Sequence, residues 1–178
     1  MNKNDSTYIR QLTFWLRFLI LAASIMTVAE DTLSFFTDKP IALFIDDTLW
    51  TKPISSFAIQ DRLVLFGILN VKTMMWLIAL YQIWKLCQLY RHTIFFTVQN
   101  ARCFANIGRA LVGMAVLDTL IVPLCGVFMK SQGIIAKMPD INIFMPEIDL
   151  LAAGIFFGLV SKIMERAAVM REEADFTI

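Results

Sequence analysis

The sequence predicts an all-α membrane protein: a four-transmembrane-helix bundle with cytoplasmic N- and C-termini and, as an open option, a small extracytoplasmic β-hairpin cap. Three observations predict it. The 178 residues are 58% hydrophobic and only 17% charged, with a mean hydropathy of +0.65, which leaves too few charges to solvate a globular surface. Four runs approach the roughly 20 mainly apolar residues that cross a bilayer. Lysine and arginine, finally, are divided unevenly among the segments between those runs.

The first run covers about residues 12–29, "LTFWLRFLILAASIMTVA", and is followed by Glu30 and Asp31. It reads as a retained span. Its apolar stretch is too long for a signal peptide, Arg17 lies inside it, and no small-x-small cleavage site follows. The second, third and fourth runs cover about residues 63–84, 107–129 and 148–164, giving a single membrane domain over 1–178. Outer loops are expected over about 30–62 and 130–147, an inner loop over about 85–106 and an inner tail over about 165–178.

Orientation follows from charge. The N-terminal segment, second loop and tail hold ten basic residues: Lys3, Arg10, Arg17, Lys85, Arg91, Arg102, Arg109, Lys162, Arg166 and Arg171. The first and third loops hold five, and the first adds six acids, Glu30, Asp31, Asp38, Asp46, Asp47 and Asp61. The positive-inside rule therefore puts both termini and the second loop in the cytoplasm. In the outer loops, "KPIALFIDD" and "DINIFMPE" alternate apolar and polar residues between Pro and Asp, the pattern of half-buried strands. Phe35, Phe36, Phe44, Trp50 and Phe57 suit a headgroup-zone belt equally well.

Lys72 interrupts the second run, and Asp118 the third. Lys72 lies about ten residues, roughly 15 Å, from the outer end of its span, deeper than a lysine can snorkel. A charge at mid-depth costs roughly 2.5–3.5 kcal/mol on insertion scales, so it needs a partner or a task. Asp118, at matching height on the next span, is the expected partner in an intramembrane ion pair. Such a pair can be a structural clamp or a functional site, and Pro123, which frees the carbonyl of Thr119, could open a polar cavity beside it. Gly154 and Gly158 form a GxxxG face, extended by Ser161, for packing within the bundle or for homo-oligomerisation.

Several chemistries find no support. His92 is the only histidine, and Cys87, Cys103 and Cys125 form no CxxC pair, so no metal site or cofactor is expected. No nucleophile–base arrangement, phosphate loop or paired carboxylates occur within a span, and an enzyme is not expected.

The inner loop is more specific. In "LYRHTIFFTVQNARCFANIGRAL", the aromatic pair Phe95 and Phe96 precedes Thr97, a candidate N-cap for a helix running into the third span. The tail continues the fourth span to the apolar end Phe176 and Ile178, a type of ending that docks. "IFFTVQNARCFANIG", with Phe95, Phe96, Thr97, Asn100, Ile107 and Gly108, resembles the cytoplasmic signature of the bacterial membrane family catalogued as domain of unknown function 2975. "MREEADFTI", with Glu172, Glu173 and Asp175, resembles that family's acidic closing segment, Ala174 and Phe176 replacing its usual Asn and Leu.

The resemblance implies a four-span protein of the bacterial cytoplasmic (inner) membrane, of unassigned biochemistry, often encoded beside a small helix-turn-helix regulator. Two function classes follow. In the first, the inner loop and tail, with Thr97, Asn100, Arg102, Arg109, Arg171, Glu172, Glu173 and Asp175, hold such a regulator at the membrane. The chain itself has no element for direct nucleic-acid binding, its basic loop residues being topogenic. The alternative is a small oligomeric transporter or channel subunit using Lys72 and Asp118.

Overall fold

The computed structural model describes residues 3–37, 40–46, 48–91, 96–140 and 147–176, with side chains described over 10–37, 40–46, 48–91, 96–140 and 148–171. Within them lie four long helices and one hairpin: α1 (Lys3–Phe36), β1 (Pro40–Ile45), β2 (Thr48–Pro53), α2 (Ile59–Arg91), α3 (Val98–Ser131) and α4 (Glu147–Phe176). A short 3-10 turn (Ile54–Ser56) joins β2 to α2. At 1.5 Å per residue the 33 residues of α2 and 34 of α3 reach about 50 Å, well beyond the roughly 30 Å of bilayer hydrocarbon.

Three helices are long and apolar enough to cross a membrane, within Arg10–Phe36, Ile59–Arg91 and Val98–Ser131. The run expected over 148–164 does not join them. Asp149 on one side and Lys162 and Glu165 on the other leave a short charge-free stretch in α4, below spanning length.

The principal helix interfaces join chain neighbours, α1 with α2, α2 with α3 and α3 with α4. The helices thus form a row in chain order, and among the described residues α1 and α4 do not share the extensive interface that a closed bundle would require. Much of α1 is exposed, including Phe14, Trp15, Phe18, Leu19, Ile25 and Met26. Apolar exposure on that scale suits lipid and not water.

The contacts fix the antiparallel registers. Arg17 lies over Trp84 and Phe35 against Phe66, so eighteen residues of α1 run opposite eighteen of α2 without a slip. Gly108 meets Gly154, and Ala101 accepts a hydrogen bond from Ser161, so α3 and α4 likewise keep step over seven residues. Carried to its start, that register sets Glu147 level with Ala115. The last sixteen residues of α3, beyond Ala115 to Ser131, therefore extend past α4.

Irregular chain flanks them instead. Pro139 packs so closely on Gly126 that a Cβ there would lie 2.3 Å from the proline ring, and buried Ile135 shares a cluster with Met129. The hairpin closes over this end. Ile41 and Leu43 alternate inward from β1, and with Ile54 they pack on Leu65 of α2 and on Cys125 and Met129 of α3. The strands pair antiparallel from Pro40 opposite Pro53 to Ile45 opposite Thr48, and Asp46 takes φ 50° at the turn, a conformation Asp tolerates. The Asp140 N–H donates to the Phe44 carbonyl (2.7 Å), and Lys137 pairs with Asp46, which binds the segment 134–140 to the hairpin. Both strands come from the first loop. Most of "DINIFMPE", residues 141–146, lies outside the described residues.

Candidate functional site

Two places on the row collect the chemistry. The first is a pair of charges between α2 and α3. Lys72 follows the start of α2 at Ile59 by thirteen residues, and Asp118 precedes the end of α3 at Ser131 by the same number, so the two stand at equal height. Lys72 Nζ lies 2.6 Å from Asp118 Oδ1, a charge-assisted contact, with side-chain exposures of 40% and 20%. α3 continues through Pro123 as one helix. The polar groups next to the pair are bound to their own helices, Asn70 Nδ2 donating to the Phe66 carbonyl (2.8 Å) and Thr119 Oγ1 to the Ala115 carbonyl (3.3 Å).

α1 adds what counting along α2 and α3 does not reveal. In its register with α2, Ala29 is level with Lys72 and Asp31 with Asn70. The acidic end of the first apolar run thus stands level with the Lys72–Asp118 pair, although it was expected at the outer end of its span and the pair near mid-depth. Asp31 is half-buried, and its Oδ2 is enclosed with no hydrogen-bond partner. It continues a polar stripe of Ser24, Thr27 and Ser34 at helical spacing on α1. The stripe was readable in the sequence as a three-then-four spacing. Its depth was not.

The second place is the end of the row where α2 passes to α3. Thr97 is the N-cap of α3, extended at φ −116° and ψ 159°, and its hydroxyl accepts from the Asn100 N–H at 3.5 Å. Beneath it the helix is locked to α4. Asn100 is 0% exposed, Cys103, Ile107 and Gly108 are buried, and Ser161 Oγ donates to the Ala101 carbonyl (2.8 Å). Phe104 stacks on Phe157 with ring centroids 6.1 Å apart. A Cβ on Gly108 would lie 2.6 Å from the Gly154 carbonyl oxygen, so the helix pair needs hydrogen at that site.

Asn100, Ile107 and Gly108 therefore build the platform and are not available to a partner. What the platform presents is Phe96, 52% exposed at φ 55°, with exposed Val98 and Arg102. A positive φ is a strained state for a bulky residue, held here by the cap that follows. On α4, Lys162 binds Glu165 (2.8 Å), and this hydrogen bond, more than the charge itself, holds the Glu165 carboxyl below its ordinary range. Phe95 lies outside the described residues, and of Glu172, Glu173 and Asp175 only the helical backbone is described.

Both glycines of the GxxxG pair border α3, Gly158 N lying 3.1 Å from the Cβ position of Gly108, but a Cβ on Gly154 would clash with α3 whereas one on Gly158 would meet nothing within 4 Å. Among the described residues no group of three or more His, Cys, Asp or Glu side chains could hold a metal ion. The family model described as a protein of unknown function (DUF2975) matches residues 22–178. No curated protein and no solved structure matches the chain significantly.

Proposed function

The chain belongs to the DUF2975 family of proteins of unknown function, and from that premise we propose that it is a non-enzymatic, multi-pass protein of the bacterial inner membrane that holds a soluble helix-turn-helix regulator at its cytoplasmic face. The observation that carries this reading is the α2–α3 turn. A strained, exposed Phe96 stands on a helix start that is capped by Thr97 and bolted to α4, and such features are kept where a loop has work beyond joining helices. Phe96, Val98 and Arg102 offer a partner an apolar anchor beside a cation, the residue types that dominate interface energies. The acidic end of α4, with Glu172, Glu173 and Asp175, would flank it.

This reading places the α2–α3 turn in the cytoplasm with both termini, and it requires the chain to return across the bilayer after α3. The register supports a return in two parts. Residues 134–140 lie beside the outer end of α3 under the hairpin, and α4, which starts level with Ala115, would complete the crossing. Irregular backbone at membrane depth is tolerated where protein covers it, which gives the hairpin a reason to be there.

The test is co-purification. The full-length protein, solubilised from membranes, is expected to retain the helix-turn-helix protein encoded beside it, and Phe96→Asp to release it without lowering the thermal midpoint. No retention by the intact protein would overturn the reading. One observation favours a second reading, transport in an oligomer: Asp31, whose Oδ2 is enclosed with no hydrogen-bond partner, stands level with Lys72 and Asp118, a second acid at the height of the pair. A proton flux in liposomes that Asp31→Asn abolishes would select it.

A further inference from the structure

The interface of α1 and α2 holds a groove that neither function above uses. Ser24 is small and stands level with Leu77, which leaves a cavity of about 230 Å³ lined by Ile20, Leu21, Ser24, Leu77, Tyr81 and Trp84. Its surface is apolar, because the Ser24 hydroxyl is spent on the Ile20 carbonyl of its own helix (2.8 Å). The groove opens sideways, with Tyr81 62% and Leu21 50% exposed on the faces that suit lipid.

One end is charged. Arg17 is one turn before Leu21, and its guanidinium lies 4.1 Å from the centroid of the Trp84 ring. Stacking there holds the cation in place and keeps it from swinging freely to the interface, the usual course of an arginine near a helix end. Arg17 Nε is buried without a hydrogen-bond partner, and among the described residues no acid pairs with it. Lys85, exposed beside Trp84, adds a second positive charge.

A fixed, unpaired guanidinium at the mouth of an apolar groove fits a molecule with an anion at one end and a hydrocarbon chain at the other. From Arg17 to Ser24 on α1 and from Trp84 to Leu77 on α2 is seven residues, about 10 Å, a length suited to part of one acyl chain. The charged end points toward the α2–α3 turn and the apolar end toward the middle of the row. That is the sense in which a phospholipid of the leaflet on the turn side would lie. We propose that Arg17, Trp84 and this groove bind one anionic phospholipid, its phosphate on the Arg17 guanidinium and an acyl chain between α1 and α2. A zwitterionic lipid of equal chain length fills the groove but brings its own cation to the phosphate, so selectivity falls on net headgroup charge.

Native mass spectrometry of the full-length protein in detergent tests this, with phosphatidylglycerol and phosphatidylcholine of identical acyl chains. The wild type is expected to retain one phosphatidylglycerol about tenfold better than phosphatidylcholine, a difference of about 1.4 kcal/mol. Arg17→Gln should bring the first lipid down to the level of the second, and Ser24→Phe, which fills the groove with Arg17 in place, should lower both. Lys52→Gln, on the hairpin, should change neither. Thermal midpoints of all variants establish that they are folded, and should Arg17→Gln fail that check, Ser24→Phe carries the test alone. Equal retention of the two lipids by the wild type overturns the proposal, as does undiminished phosphatidylglycerol on a folded Arg17→Gln or Ser24→Phe. So does inorganic phosphate raising the wild-type midpoint as far as phosphatidylglycerol does, since the groove would then add nothing.

Discussion

A glycine whose Cβ would meet backbone and a glycine whose Cβ would meet nothing should respond oppositely to the same methyl group. Gly108 would place a Cβ 2.6 Å from the Gly154 carbonyl oxygen, and backbone atoms can yield only if α3 and α4 separate, whereas Gly158 has open space at that position. Gly108→Ala is expected to lower stability by about 1–3 kcal/mol through overpacking, and Gly158→Ala to leave it unchanged or raised, as alanine is the better helix former. Thermal unfolding in detergent reads both. At the same scale, Lys72→Met and Asp118→Leu each strand one charge of a pair 2.6 Å apart, and each is expected to cost about 1–3 kcal/mol, less than a fully buried pair because Lys72 is 40% exposed. The double variant should recover part of that loss. If the two losses simply add, the groups do not act as a pair.

The elements show where sequence reasoning stops. Thr97 was legible as an N-cap because capping is local chemistry, a hydroxyl two or three residues before the N–H groups it serves. The heights of Lys72 and Asp118 could be counted because α2 and α3 are continuous helices joined by a short turn. The height of Asp31 could not be, since a hairpin and a 3-10 turn separate α1 from α2 and their folded length sets the register. α4 differs for another reason: a window over 148–164 averages away Asp149 and Lys162, whereas a helix must place each charge somewhere, and by length and composition α4 does not count among the spanning helices. Two exposed charge pairs also respond to pH. The Lys162 hydrogen bond lowers the Glu165 pKa below its ordinary 4.5, so its stabilising contribution is present above that pH and is lost as pH falls through the lowered value. Lys137, raised above 10.5 chiefly by its hydrogen bond to Asp46, works in the opposite sense: its contribution is present below that pH and is lost as pH rises through the raised value. Carboxyl-resolved NMR titration should give Glu165 a midpoint below 4.5, and Lys162→Gln should return it upward. An unchanged midpoint in the variant would mean that the pair does not persist in solution, as exposed i,i+3 pairs often fail to do.

The molecule as a whole is two halves joined at different heights. At the turn end of the row, α3 and α4 pack glycine to glycine, and α4 runs on past the start of α3. At the other end, α3 stands without α4, and the hairpin with residues 134–140 covers it. A chain that begins this passage beside Met129 and ends beyond the level of Val98 has moved from one end of the row to the other, whether or not α4 alone is long enough to span. Helix length alone therefore does not decide topology here, and labelling from the two sides does. Ala136 and Met170 are exposed on either part of the passage, and the three native cysteines are buried. In a background without those cysteines, Ala136→Cys is expected to react with a membrane-impermeant maleimide from outside intact cells, and Met170→Cys only after the membrane is opened. Both residues labelling from one side would mean that the chain turns back within the bilayer, and the α2–α3 turn and the end of α4 would then no longer share a compartment in which to meet one partner.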